Sequence, residues 1–596
     1  MDTHPPVTVD PITVSVVQGA LENIAVEIGY KLMRMAYSSI IRESEDFGAA
    51  LVDAEGRGLA ESAQSTPLQS GPIPGYVKHV LRTLAARGDT VRPGDVIMHN
   101  DPYGGASHGP DVAFIVPVFH RGELVGFSAT TAHHLDIGAL TPGSCGIVDA
   151  IDAYAEGLQF RAIKVYAEGV RNEAVWQLLR DNIRASDLVV GDMEAQVAAS
   201  RIGAERMAAL VDRVGVAAFR SACAMMLDQS ERMMRQAIAR LPEGSWRAET
   251  FIDGYLDDPD PSRRELRLVA TVTKRGEKLV VDLTGTAPEV KDRPINMPFT
   301  GTVDVAVWLT IRSVLLDTAV VGHVPVNEGL TRPITIIAPE GCLANPTFPA
   351  PTIARFCPGN QLADTVMKAL AQAVPGQVSA GIGNLKVIAF SGLQGSKHWV
   401  HMEIFEGSYG GRADSDGMDA VDTLYANTRN NPIEDIETHL PLRVERYELR
   451  EDVVGAGTFR GGLGSVRAFR FLADGGASVE GEGHRFRPWG FAGGDDGETA
   501  RLAILRADGT RATLPSKVPH MAVRAGDMFV CEGPAGGGYG EPRKRDPAKV
   551  AADVADGLIS RATAAERFAV AIGEDGSVDA AGTAALRRRS EGERRT

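Results

Sequence analysis

Residues 98–134 read MHNDPYGGASHGPDVAFIVPVFHRGELVGFSATTAHH and hold five of the chain's thirteen histidines, where an even spread would put about one. Asp101 and Asp111 lie among them, and Asp136 follows. Segment 101–110 is dense in Pro, Gly and Ser without an apolar period, which predicts a loop. The apolar run at 112–119, the turn at Arg121-Gly122 and the second run at 124–132 predict a β-hairpin ending on His133-His134. Antiparallel partners sit about 5 Å apart, so the end of the second strand meets the start of the first. His108, Asp111 and His133 could then surround one cation, since imidazole and carboxylate are ligands that divalent first-row metals accept.

The same residues admit a plainer reading, as loop histidines that are solvated or hydrogen-bonded, and spacing alone does not choose between the two. His99 ends a strand-like run and His120 sits at the hairpin turn, so both read as bystanders. Side chains alternate along a strand, which points His134 away from His133. One of that pair is expected to bind and the other to orient it from behind.

Working outward, 596 residues exceed what one hydrophobic core can organise and imply about two to four domains. The expected class is α+β and multi-domain. An N-terminal mixed helix and strand domain over 1–243 carries the metal site, and a central α+β domain with helices covers 244–377. A Gly-rich β domain spans 378–545, and 546–596 forms a helical C-terminus with a disordered basic tail. Apolar residues at helical spacing, Val17, Leu21, Ile24, Ile28 and Leu32 among them, predict a helix over 11–39. Glu45-Asp46 then precedes a strand-like run. On spacing alone Asp46 reads at least as well as a solvated turn acid as it does a ligand, and Glu156, in a turn before a strand, is equally ambiguous.

A loop over 66–75 and a short helix over 76–86 follow, and 172–241 is helical through most of its length. Leu241-Pro242-Glu243-Gly244 breaks that run and marks the first boundary. Strands at 247–253, 265–272 and 279–283, a helix over 302–316, a Pro-rich passage and a helix over 360–373 make up the centre. Beyond 378, glycine runs punctuate short strands, most densely at 460–464 and 533–540. A phosphate-binding loop needs a Lys and a Ser/Thr leading into a helix, which neither run supplies, so both read as tight β turns.

Composition excludes several classes of function. A net charge of −15 and a pI of about 5.4 argue against nucleic acid. The one basic cluster, Arg587 to Arg589 with Arg594 and Arg595, lies in a Gly/Glu/Ser-rich tail. Five scattered cysteines form neither a disulfide framework nor a zinc ribbon and suit a reducing cytoplasm. The N-terminus lacks the pattern of a signal peptide, and the most apolar long run, 303–321, is interrupted by Asp304, Arg312 and Asp317. A cytoplasmic location is the expectation.

DPYGGASHGPDVAF, TTAHHLDIG, NEG followed by PEGCLANP, FRGGLGSVR, RPWGFAGG and GPAGGGYGEPRKRDP resemble, in order, the motifs of the hydantoinase B/5-oxoprolinase family. That family includes β subunits of ATP-dependent N-methylhydantoinases and caprolactamase, and subunits of acetone and acetophenone carboxylases are related to it. The resemblance runs from about Pro11 to about Ile572. It implies a divalent metal held by Asp46, His108, Asp111 and His133, and such His/Asp ligation suits Zn, Mn or Fe about equally. It also implies a partner, an α subunit of the actin-like ATPase class that supplies the ATP site, in an α2β2 or larger hetero-oligomer. One departure stands out: where family members commonly carry Asp-Ser-Gly-Gly, this chain has Glu451-Asp452-Val453-Val454-Gly455.

The implied activity is ATP-dependent hydrolysis of a cyclic amide, a hydantoin or lactam ring. The partner would phosphorylate the carbonyl oxygen, and the metal here would help open the ring. His134, Asp136 and Glu156 are candidates for general base or for support behind the ligands. Two alternatives stand beside this reading. One is an ATP-dependent ketone carboxylase component of the acetone type, and the other a non-catalytic structural subunit that its metal only braces.

Overall fold

The predicted hairpin forms the centre of a seven-stranded antiparallel sheet in the computed structural model, which describes residues 9–593. Strand Asp111–His120 pairs with Glu123–His133, and the register sets Asp111 opposite His133. On one side follow Phe47–Asp53, with Phe47 opposite Ala132, and then Gly58–Glu61. On the other side follow Val96–His99, Ile163–Ala167 and Val170–Arg171. The ends of three strands that carry or adjoin acidic and histidine residues therefore meet at one edge.

Both faces of this sheet are covered, which is why its central strands read as continuous apolar runs instead of alternating ones. Val112, Phe114 and Val116 pack in one core with helices Pro11–Met35 and Ser186–Val214. Ala113, Ile115 and Ala129 pack in another with Ile73, Tyr76, Val77 and Val80 of helix Ile73–Ala86. The expected helical stretch over 172–241 is three helices, Glu173–Asn182, Ser186–Val214 and Val216–Ala239, with Gly215 at φ +81° between the last two.

A second, four-stranded sheet is ordered Ile334–Ile337, Lys278–Asp282, Leu266–Arg275, Gly244–Ile252. Helices Asp304–Leu315 and Phe356–Leu370 pack against it in a common core. The latter helix begins four residues before its expected start, because Pro358 falls in the first turn, where no intrahelical partner needs its missing N–H. That places Arg355 at the N-cap.

Beyond it, a four-stranded sheet containing Lys386–Gln394 and Lys397–Phe405 faces a five-stranded sheet containing Ser465–Phe471 and Met528–Glu532. Phe390 bridges the two, 5.4 Å from the rings of both Phe469 and Phe471 and 6.0 Å from Phe529.

Two expectations need correction here. The glycine runs at 460–464 and 533–540 are largely not turns: within them only Gly540 has a positive φ, +73°. They are strips of backbone laid against backbone. Gly536 N donates to Gly462 O, Gly537 N to Gly381 O and Gly538 N to Asp495 O. A Cβ on Gly461 would fall 2.0 Å from Gly536 O, so glycine is required for close approach and not for conformational freedom. Gly461→Ala is expected to destabilise the protein by about 1–3 kcal/mol or more, measured as a lowered urea midpoint. The tail expected to be disordered is a helix, Ala580–Glu593, and Arg587 donates to the Arg545 carbonyl at 3.0 Å. Arg594 and Arg595 lie outside the described residues. Among the described residues no helix is long and apolar enough to cross a membrane.

Candidate metal centre

At the meeting edge of the central strands, Asp111 Oδ1 lies 3.0 Å from His133 Nδ1 and 3.1 Å from His108 Nε2. The two histidine nitrogens are 3.2 Å apart, and Asp46 Oδ2 is 4.0 Å from His133 Nδ1. Ligand atoms about 2.1 Å from one cation and at right angles to each other would be about 3.0 Å apart, and opposite ones about 4.2 Å. His108, Asp111 and His133 are therefore spaced as three adjacent positions of a coordination shell, with Asp46 beside His133.

Backbone geometry dictates much of this. His133 pairs with Asp111 across the hairpin, and its N–H donates to the Asp46 carbonyl on the neighbouring strand's approach. The 101–110 loop is held from below by His99, whose Nε2 bonds Gly104 O at 3.1 Å. His99 is thus structural, and His120, at the hairpin turn at the far end of the strand from Asp111, lies 3.9 Å from Asp212.

The hydrogen-bond network assigns the tautomers. His108 Nδ1 gives its hydrogen to Ile353 O at 2.9 Å, leaving a lone pair on Nε2. Ser144 Oγ donates to the Met402 sulfur and takes the His133 Nε2 hydrogen at 2.6 Å. His133 Nδ1 is then free to face Asp111 and His108. Two imidazole lone pairs at this separation repel unless a cation, proton or metal, lies between them. Burial opposes a charged His133 ring, yet Cys145 and Asp111 hold its pKa well above the ordinary value. Burial lowers His108 to about 4.

The carboxylates are braced in turn. Gln69 Nε2 donates to Asp111 Oδ1 at 2.7 Å and to Asp46 Oδ1 at 3.2 Å, bridging them. Gln69 reaches both because Gly48 lets the 66–70 turn lie on the strand: a Cβ there would sit 2.6 Å from Gln69 C. Arg355 Nη2 donates to Asp111 Oδ2 at 3.0 Å, and the Ser107 hydroxyl donates to the same oxygen. Burial works against ionised Asp111, but His108, His133 and Arg355 hold its pKa well below the ordinary carboxylate value. Burial pushes Asp46 up, with His133 opposing. Arg355 and a protonated His133 balance ionised Asp111 while burial favours neutral Asp46, so a divalent cation binding here would take the place of those protons.

His108, His133 and Cys145 also form a group that could hold a metal, their ligand atoms lying within 4.8 Å of one another. That set would use the other face of His133, already committed to Ser144, and a thiol whose pKa burial raises. The Asp- and His-lined side is the better donor set.

Three further sequence candidates are not drawn into the cluster. His134 points to the opposite face and bonds Gln196 Oε1 at 2.9 Å, and burial lowers it to about 4, so it is a neutral ring. Asp136 pairs with Arg184 at 3.0 Å and caps Gly138 N. Glu156 accepts from Thr352 N at 2.5 Å and Ile353 N at 2.6 Å, so it shapes the loop whose Ile353 carbonyl fixes His108. Burial raises the Glu156 pKa from 4.5 to about 8. The folded protein keeps a proton that the unfolded chain releases, so this group's stabilisation is full below pH about 4.5 and is lost as pH rises to about 8. Glu156→Gln, which can still accept both N–H groups, is expected to lessen the fall in urea midpoint between pH 5 and pH 8.5.

Gln69, Arg355, Ser144 and Cys145 escaped sequence reasoning. Arg355 left one trace, as the sole charge in the apolar stretch PAPTIARFCPG.

Comparison with known proteins agrees with the motif resemblance. The profile described as hydantoinase B/oxoprolinase matches residues 10–542. The chain is 59% identical over 581 residues to a putative D-/L-hydantoinase B-type subunit of Pseudomonas sp. strain NS671, covering 97% of this chain and 98% of that one. The crystal structure of ATP-dependent caprolactamase from Pseudomonas jessenii superposes with a TM-score of 0.87 at 30% identity, covering 98% of this chain and 100% of that one. A nucleotide-free acetone carboxylase structure has a TM-score of 0.88 at 19% identity over 98% of this chain and 83% of that one, a likeness of fold.

Proposed function

Because the chain belongs to the hydantoinase B/oxoprolinase family, we propose that it is the subunit of an ATP-dependent cyclic-amide hydrolase that holds the ring-opening metal. The observation that carries the metal reading is the mutual approach of Asp111 Oδ1, His133 Nδ1 and His108 Nε2 at 3.0–3.2 Å, with both imidazoles hydrogen-bonded from behind. His108, His133, Asp111 and Asp46 are its ligands. When bound, a divalent ion of the Zn, Mn or Fe kind supplies polarisation of a carbonyl or phosphoryl oxygen and a lowered pKa for water.

The chain's own residues keep that site in one geometry. Gln69 holds the two carboxylates together, and Arg355 occupies the Asp111 oxygen turned away from the histidines. Glu156 sets the Ile353 carbonyl that orients His108, while His134 locks the hairpin end to Gln196. These are positioning residues, and so is Asp136 through Arg184.

The relatives are themselves named as subunits, one of a hydantoinase and one, the β subunit, of a caprolactamase, which supports a partner in a hetero-oligomer. In our reading an ATPase α subunit phosphorylates the amide oxygen and ADP leaves. The C–N bond then breaks with release of phosphate, so the sum is one ATP and one amide hydrolysed by two waters. The carboxylase alternative has only the fold likeness behind it. The test is ATP-dependent opening of hydantoin, 5-oxoproline and caprolactam by this chain co-purified with its partner. Turnover that needs both chains and ATP, is lost on chelation and returns with added metal supports the reading, and full turnover of the chelated complex contradicts it.

A further inference from the structure

The metal cluster borders a hollow of about 20 Å³, lined by Asp46, His133, Cys145 and Arg355 together with Met402, Ile404 and Thr428. That is room for roughly one water. Ile404 and Thr428 also line a second hollow of about 360 Å³, whose other walls include Tyr409, Asp422, Leu424 and Asn427. Its size falls at the lower end of the range for small-molecule sites. A larger cavity of about 1340 Å³ meets the 360 Å³ hollow at Asn427 but is lined by none of Asp46, His133 and Arg355.

We propose that the 360 Å³ hollow is where the substrate ring docks, and that Ile404 and Thr428 form the constriction that admits its reacting carbonyl and limits ring substituents. This rests on the metal reading above. The constriction is fixed relative to the cluster. Asp422 Oδ2 accepts from Thr428 N at 3.0 Å and from Thr428 Oγ1 at 2.5 Å. The next residue ties the segment to the approach of Asp46: Arg429 N donates to Ser44 O at 2.9 Å, and its guanidinium pairs with Glu45 at 3.2 Å. The walls suit a cyclic amide, which presents an N–H beside a C=O on an otherwise apolar ring. Tyr409 Oη accepts from Leu424 N at 2.8 Å, leaving its own hydrogen to donate, while Asp422 can accept and Met418, Val421 and Leu424 supply apolar contact.

The test uses the co-purified complex with Ile404→Trp, Ile404→Ala and Thr428→Ser. Cys145, 4% exposed on the inner hollow, reports the route without reference to activity. Its labelling by methyl methanethiosulfonate, followed by mass spectrometry, is expected to slow at least about tenfold in the Trp variant and to speed at least about tenfold in the two smaller ones. Labelling of Cys223, buried away from this route, stays unchanged. The kcat/KM ratio for 5-benzylhydantoin over hydantoin is expected to rise at least about tenfold in Ile404→Ala, with metal content and assembly unaltered. Unchanged Cys145 labelling across all three variants overturns the route. If His108→Ala abolishes turnover while the labelling is unmoved, the route fails and the metal reading stands. If His108→Ala is fully active, the metal reading fails, and the labelling still decides the route.

Discussion

His108→Ala is expected to lower turnover of the assembled complex by at least about 100-fold, the scale that loss of even a ligand's supporting partner can reach. The effect should fall on kcat, because the change removes a group needed at the reacting centre and not one that merely binds substrate. Assembly should survive. The ring is wholly buried and its loop is separately anchored by His99 to Gly104 O and by Asn100 to Gly109 O, so the backbone keeps its path when the imidazole goes. Size-exclusion chromatography with the partner and steady-state kinetics on one preparation separate the alternatives. Retained assembly with lost turnover supports a catalytic metal, and retained assembly with full turnover supports a bracing one.

Arg355→Ala is expected to cost about 3–5 kcal/mol of stability, the range for removing one member of a buried ion pair. Its guanidinium is 2% exposed and meets Asp111 Oδ2 at 3.0 Å. Without it the Asp111 carboxylate keeps Gln69 and the two histidines but has only the Ser107 hydroxyl on its second oxygen. Equilibrium urea unfolding should show the loss, and added metal should recover part of it by binding the folded state alone. An unchanged urea midpoint would mean that the pair contributes nothing to the fold.

The proposed ligand set was legible in part because Asp111 and His133 sit on one hairpin and His108 in the loop that leads into it. The alternation of strand residues separates His133 from His134, and the register sets Asp111 against His133. Asp46 is proposed as a ligand through the family resemblance, since a lone acid before a strand carries no signal of where that strand will pair. What sequence could not give is whatever arrives from far along the chain. Arg355 is 244 residues from Asp111, and the turn bearing Gln69 is brought in by Gly48. The same holds for the candidates whose role, general base or support behind the ligands, spacing left open. Glu156 is an acid near a turn in sequence, and only the passage of residues 352–353 overhead makes it a loop clamp. The glycine runs misled for a related reason: a turn needs glycine for its φ, whereas stacked backbone needs it for space, and sequence does not distinguish the two demands.

The most direct test of the account is the metal content of the purified complex, measured by elemental analysis for the natural chain and for His108→Ala and Asp46→Asn. About one divalent first-row ion per copy of this chain is expected, reduced at least about tenfold in both variants. A natural chain that carries no such ion after purification in its presence, or variants that retain it in full, would contradict the claim that these four side chains form a metal site.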